Sequence, residues 1–222
     1  MILRPAGWNV VVLGKWNCAL FTPARIRSRV FGLMEGVPVE VLVSLDDVSP
    51  PKVRHEGILV SVSETNLAVV AEACNFDELD RARSIAANSI ATLPSTPLDA
   101  CGFNIRYRSE ALPESLIRRF SMDLDRRFSE HGFEIVGRKF QRILKKDAGT
   151  ITVIVAQDPD SNVELLINFE LKSHSSEELI AWLSTPMEGV RTAVDTIIRQ
   201  SLELDEGHYI VQNCDDAQSG PE

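Results

Sequence analysis

Apolar positions along the chain change period several times, and each change marks an element. The valine-rich stretch "WNVVVLGKWN" (8–17) reads as a strand. In residues 37–45, Val37, Val39, Val41, Val43 and Leu45 fall on one face of a second strand. Residues 55–63 put Ile58, Val60 and Val62 on one side, and "NLAVVAEA" (66–73) follows after a Ser-Glu-Thr-Asn turn. The period then lengthens. In residues 75–93, Leu79, Ala82, Ala86, Ile90 and Leu93 recur every three or four positions, which is a helical face, and Asn75 with Glu78 has capping-box spacing. Between the first two strands, Thr22 as N-cap and Pro23 at the first helical position start a short helix with Ile26, Val30 and Leu33 inward.

The second half follows the same order. Residues 98–108 alternate, with Cys101, Phe103, Ile105 and Tyr107 on one face. Residues 112–132 form an amphipathic helix with Leu112, Leu116, Phe120, Leu124 and Phe128 toward the core, Pro113 in its first turn and Gly132 at its C-terminal end. Strands follow at 133–146, 150–156 and 163–172, the last with Val163, Leu165, Ile167, Phe169 and Leu171 on one face. A helical region over 175–204 is interrupted at Pro186, and Ser175/Glu178 and Thr185/Glu188 have capping-box spacing, so two helices are expected.

The order is β-α-β-β-β-α twice. It predicts an α+β fold in which 1–97 and 98–204 are two units packed as one body, with an antiparallel sheet and helices on one face. The order is similar to TATA-binding-protein-like and helix-grip folds. Residues 205–222 read as an acidic tail, in which "HYIV" has the composition of an edge strand.

Composition narrows the function classes. A net charge of −9 disfavours non-specific binding to nucleic acid or anionic membrane. No apolar run is long enough to span a bilayer, and no leader with a small-residue cleavage site opens the chain. Cys18, Cys74, Cys101 and Cys214 are widely spaced, which suits reduced thiols in a cytoplasmic protein. No zinc or phosphate-loop pattern and no nucleophile elbow occurs, so no catalytic, cofactor or metal residue is assigned. His55, His131, His174 and His208 lack metal-ligand spacing. Asp158, Asp160 and Asn162 resemble the start of a calcium loop, but Val163 and Phe169 stand where glycine and glutamate are needed, so a turn is expected.

The stretches "KWNCALFTP" (15–23) and "LPSTPLDACGFNIRYR" (93–108) carry a resemblance. Trp16, Asn17, Phe21, Thr22 and Pro23, with Leu93, Pro94, Thr96, Pro97, Gly102 and Asn104, resemble an uncharacterised, sporadically distributed family of bacterial proteins. The resemblance implies a bacterial origin and a fold, and no activity. Read from the residues alone, 16–23 is a joint between strand and helix in which every residue type except Asn17 has a structural reason.

Three modes of action follow from the residues. The leading one is non-enzymatic association, as a homodimer or accessory subunit, through the helix-free sheet face. Alternation turns Leu42, Leu59, Arg106, Arg108, Glu164, Leu166 and Glu170 onto that face, a mixture more apolar than a solvated sheet needs. The second is nucleic-acid binding through the basic middle of the chain: Arg118, Arg119, Arg126, Arg127, Arg138, Lys139, Arg142, Lys145 and Lys146. Intrahelical pairs such as Asp123 with Arg127, and phenylalanines at 120, 128 and 133 read as core, speak against it. The third is a small ligand in a helix-grip pocket walled by Trp16, Trp182 and Phe169.

Overall fold

The computed structural model describes residues 3–43, 50–110, 116, 123–160 and 162–203. The fold is α+β: a large antiparallel sheet with helices packed on one face. The strands are β1 Arg4–Pro5, β2 Trp8–Gly14, β3 Glu40–Leu42, β4 Lys52–His55, β5 Ile58–Val62, β6 Asn66–Ala71, β7 Leu98–Ser109, β8 Arg138–Lys146, β9 Gly149–Gln157 and β10 Val163–Lys172. They lie in the order β3, β4, β5, β6, β2, β7, β10, β9, β8, with β1 against the end of β7. β2 and β7 pair at the centre, from Asn9 opposite Asn104 to Gly14 opposite Leu98.

The helices are α1 Pro23–Arg25, continuing as a π-helical turn over Ile26–Val30; α2 Phe76–Thr92; α3 Asp123–Glu130; α4 Ser176–Leu183; and α5 Met187–Asp195, continuing as a π-helical turn over Thr196–Ser201. α2 packs on β2 and β6, and α4 on β7. Each strand therefore buries its inward set: Trp8, Val10 and Val12; Ile58, Val60 and Val62; Phe103, Ile105 and Tyr107; Leu165, Ile167 and Phe169. Aromatic side chains hold this layer together. Trp8 meets Phe76 and Tyr107 edge-on, and Phe103 stacks between Phe169 and Trp182 at centroid distances of 5.0 and 4.9 Å. Burial of such rings, at about 25 cal/mol per Å² of apolar surface, is the main force holding helices to sheet.

The local signals act as their chemistry requires. Thr22 and Asn75 accept from the amides of Arg25 and Glu78, and Ser175 from that of Glu178. Asn17 accepts from the amide of Ala19 at 3.2 Å and caps a single 3₁₀ turn, Cys18–Leu20, so every residue type of the 16–23 joint has a structural role. Trp16 and Phe21 are buried edge-to-face in the core. In the turn after β9, Asp158 accepts from the amide of Asn162 at 2.8 Å. Glu56 and Gly57 both have positive φ, 44° and 74°, and close a two-residue hairpin between β4 and β5. β4 is thus an element of its own, where the pattern of 55–63 suggests one strand.

Other expectations are corrected. Leu124 and Phe128 on α3, and Phe133 after it, are 52%, 44% and 64% exposed, so they are not core. The eighth strand begins at Arg138, not at 133. Val41 on β3 and Val43 just after it are exposed, because β3 is three residues long and lies at the sheet margin, where none of the described helices covers it. Pro186, not Thr185, occupies the N-cap of α5; Thr185 Oγ1 donates backward to the carbonyl of Trp182 at 2.8 Å. Leu45, Leu112, Pro113, Phe120, Arg118, Arg119 and the 205–222 tail lie outside the described residues.

Candidate association surface

The face of the sheet opposite the helices carries the second alternating set of every strand. Its centre is built by register. Asn9 on β2, Asn104 on β7 and Asn168 on β10 stand side by side, and their amides bond in series: Asn168 Nδ2 donates to Asn104 Oδ1, and Asn104 Nδ2 to Asn9 Oδ1, both at 2.8 Å. The row continues through Val70 and Leu59 to Arg54 on one side, and through Thr152 to Ile143 on the other. The three asparagines, Val70, Leu59 and Thr152 are half-buried by their neighbours in the sheet.

Apolar groups flank the ladder. Leu166 lies between Arg106 and Ile154, and Val11 lies between Ala68 and Gly102. Ion pairs stand outside them. Glu164 sits between Arg106 Nε at 3.2 Å and Arg108 Nε at 3.7 Å, and Arg54 reaches Glu72 at 2.8 Å and Glu40 at 3.0 Å. Amides that already bond one another lose less on leaving water than separate amides would. Such a face can be covered by another surface without stranding its central polar groups.

Register also separates the expected residues. Arg106, Arg108, Glu164 and Leu166 meet in one patch. Glu170 lies further along β10, opposite Gly102, with Lys172 Nζ 3.9 Å away. Leu59 is four strands from β10, beyond Val70. Leu42 is on β3, six strands from β10, roughly 29 Å away at the usual strand spacing. Alternation turns Asn104 and Asn168 outward on their strands, but no local pattern predicts the amide ladder, because only strand pairing sets them beside each other and beside Asn9.

The basic residues do not form one helix face. Arg126 and Arg127 are on α3, where Arg126 pairs with Glu130 at 3.8 Å. Arg138, Lys139, Arg142, Lys145 and Lys146 are on β8, with Arg138 on Asp125 at 3.2 Å and Arg142 over the Phe140 ring at 3.9 Å. Of the pocket residues, Phe169 and Trp182 are stacked on Phe103, and Trp16 lies apart against Phe21. A shallow recess between Phe21, Val30 and Leu93 is rimmed by Arg25 and Arg29. Among the described residues, no three His, Cys, Asp or Glu side chains gather as a metal site, and no helix is long and apolar enough to cross a membrane. Cys101 is buried, and burial pushes its thiol up to about 12; no reactive cysteine is made there.

Comparison with models of known protein families finds none that matches this sequence, and comparison with curated proteins finds no match either.

Proposed function

We propose that this protein acts by association rather than catalysis, pairing with a second copy of itself through the open face of its sheet. The observation that carries this reading is the amide ladder of Asn9, Asn104 and Asn168, continued in the same row by Val70 and Leu59 and flanked by Val11 on one side and Leu166 and Ile154 on the other. Polar groups satisfied among themselves, apolar groups beside them and paired charges outside make a surface that can be desolvated.

The reading of two units fused along β2 and β7 supports it. β2 pairs with β6, the last strand of its own meander, as β7 pairs with β10, the last strand of its own. Among the described residues, two such halves leave one broad face without helices. Free thiols at Cys18, Cys74 and Cys101 support a cytoplasmic setting.

Light scattering of the purified chain and of Leu166→Glu tests the proposal. The wild type is expected at twice the chain mass and the variant at the chain mass, with the same thermal midpoint. An unpaired charge in a desolvated interface opposes assembly, while the half-buried position tolerates it in the folded monomer. A wild type that stays monomeric at high concentration overturns the proposal, and so does a variant that assembles unchanged.

A further inference from the structure

The sheet ends differently on its two sides. β3 is three residues long, whereas β8 runs for nine, and among the described residues nothing pairs with its outer edge. Gln141 through Lys146 are all exposed, on both faces of the strand. Alternate residues of such a strand turn backbone N–H and C=O groups outward, a template for an added strand.

The side chains select what can be added. β8 carries Arg138, Lys139, Arg142, Lys145 and Lys146 and no acid. Among the described residues, Arg138 alone of the five pairs with a carboxylate, that of Asp125. Between the cations, Ile143 is 67% exposed and Leu144 41%. Register divides these groups between the two faces. Arg142 and Leu144 stand beside the buried Val153 and Ile151 of β9, on the side of the sheet that carries the helices, and Ile143 and Lys145 stand beside Thr152 and Thr150, on the open side.

This plan discriminates among occupants. A second copy's β8 would set cations against cations, which is unfavourable across a strand pair. A lipid surface would leave the N–H and C=O groups of the edge unpaired. An oligonucleotide would find few aromatic faces on which to stack, since Phe140 is the one aromatic residue of β8 and is half-buried. An extended peptide with carboxylates around an apolar pair answers all three features: its backbone pairs the edge, its apolar side chains cover Ile143 and Leu144, and its acids meet the unpaired cations.

We propose that the β8 edge takes up an extended acidic segment of a partner protein as an added antiparallel strand, main-chain hydrogen bonds giving the attachment and opposite charges the selectivity. The mode is separate from self-association through the open face.

The experiment uses the full chain and a fluorescein-labelled peptide, Ser-Glu-Asp-Val-Ile-Glu-Thr-Val-Asp-Ser. In antiparallel register its Val-Ile pair lies against Leu144 and Ile143, and the glutamate that follows lies against Arg142. Fluorescence anisotropy is expected to show saturable binding that weakens in about 0.5 M salt, as charges are screened. Arg142→Glu should weaken it about tenfold, and a peptide with Lys in place of the facing glutamate should restore it. Arg142 is exposed, so the thermal midpoint should not change; if it falls, Lys146→Glu with Lys in the facing position serves the same test. N-methylation of one alternate set of peptide amides should abolish binding, and of the other set leave it intact, because only one set faces the edge. On saturation, amide exchange in β8 should slow about tenfold while that in β4 stays unchanged. Leu166→Glu should bind the peptide as the wild type does, which keeps this outcome separate from that of open-face pairing.

No saturable binding below about 1 mM peptide overturns the proposal. So does a Lys-containing peptide that fails to restore binding, or equal tolerance of both N-methylated sets. Tighter binding of phosphatidylserine vesicles or of a labelled oligonucleotide than of the peptide, lost in Arg142→Glu, also overturns it, since the edge would then serve lipid or nucleic acid.

Discussion

Asn168 donates to Asn104 across the centre of the open face at 2.8 Å, and Asn104 passes the same bond on to Asn9. Asn104 is the only member that both gives and accepts in this series. Asn104→Asp puts a carboxylate where Asn9 Oδ1 requires a donor, and should cost about 1–3 kcal/mol in urea unfolding. Asn104→Leu removes the amide without adding a charge and should cost less than Asn104→Asp. Equal losses for the two would mean that shape, not the amide series, matters at this position.

Gly102 lies two residues before Asn104 on the same face. A Cβ there would stand 2.4 Å from the Phe169 carbonyl oxygen, closer than any side chain allows. Gly102→Ala should therefore destabilise by about 1–3 kcal/mol, as overpacking does, by forcing β7 and β10 apart. The check is a lower thermal midpoint together with faster amide exchange in β10. Asn168→Ala should leave β10 exchange less affected, since it removes a bond without moving the backbone.

Arg83 is 3% exposed on α2, and its Nη1 donates to the Thr185 carbonyl at 2.6 Å while the guanidinium also pairs with Asp80. One buried cation thus ties a helix of the first half to the α4–α5 corner. Arg83→Met should cost about 1–3 kcal/mol through the unpaired carbonyl, and should speed exchange in residues 184–189. Arg83→Lys should recover only part of this, because an ammonium lacks the planar fork.

The two threonines that precede helix-like stretches should behave differently. Thr22 accepts from the Arg25 amide and is the true cap, so Thr22→Ala should cost about 1 kcal/mol. Thr185 bonds backward to Trp182 and caps nothing, so Thr185→Ala should stay within about 0.5 kcal/mol. Chemical denaturation of both variants beside the wild type separates the cases.

Burial holds the Cys101 thiol neutral, its pKa raised from 9.0 to about 12. A group raised in the folded state contributes stability that is fully present below its unfolded pKa. Stability from this site should be constant up to about pH 9 and fall as the pH approaches 12. Cys101→Ser or Cys101→Ala should flatten that part of the alkaline profile. In the wild type at neutral pH, a thiol reagent should label Cys18 and Cys74 before Cys101, which should react only on unfolding.

The sequence by itself determined whatever depends on neighbours a few residues apart. Alternation chose the buried set of β5, β7 and β10, and the caps at Thr22, Asn75 and Ser175 placed their helices, because each signal is a contact within one turn or one pleat. Alternation also put Arg106, Glu164 and Leu166 on the open face. The tertiary structure alone decided which of these residues meet. Asn9, Asn104 and Asn168 are 95 and 64 residues apart, and Leu42 and Leu166 share a face yet stand six strands from one another. It also decided that the apolar side of α3, with the same period as a core helix, leaves Leu124 and Phe128 in water. A period tells which side of an element is apolar; what covers that side is set by strand order and by the reach of other elements, which no local pattern encodes.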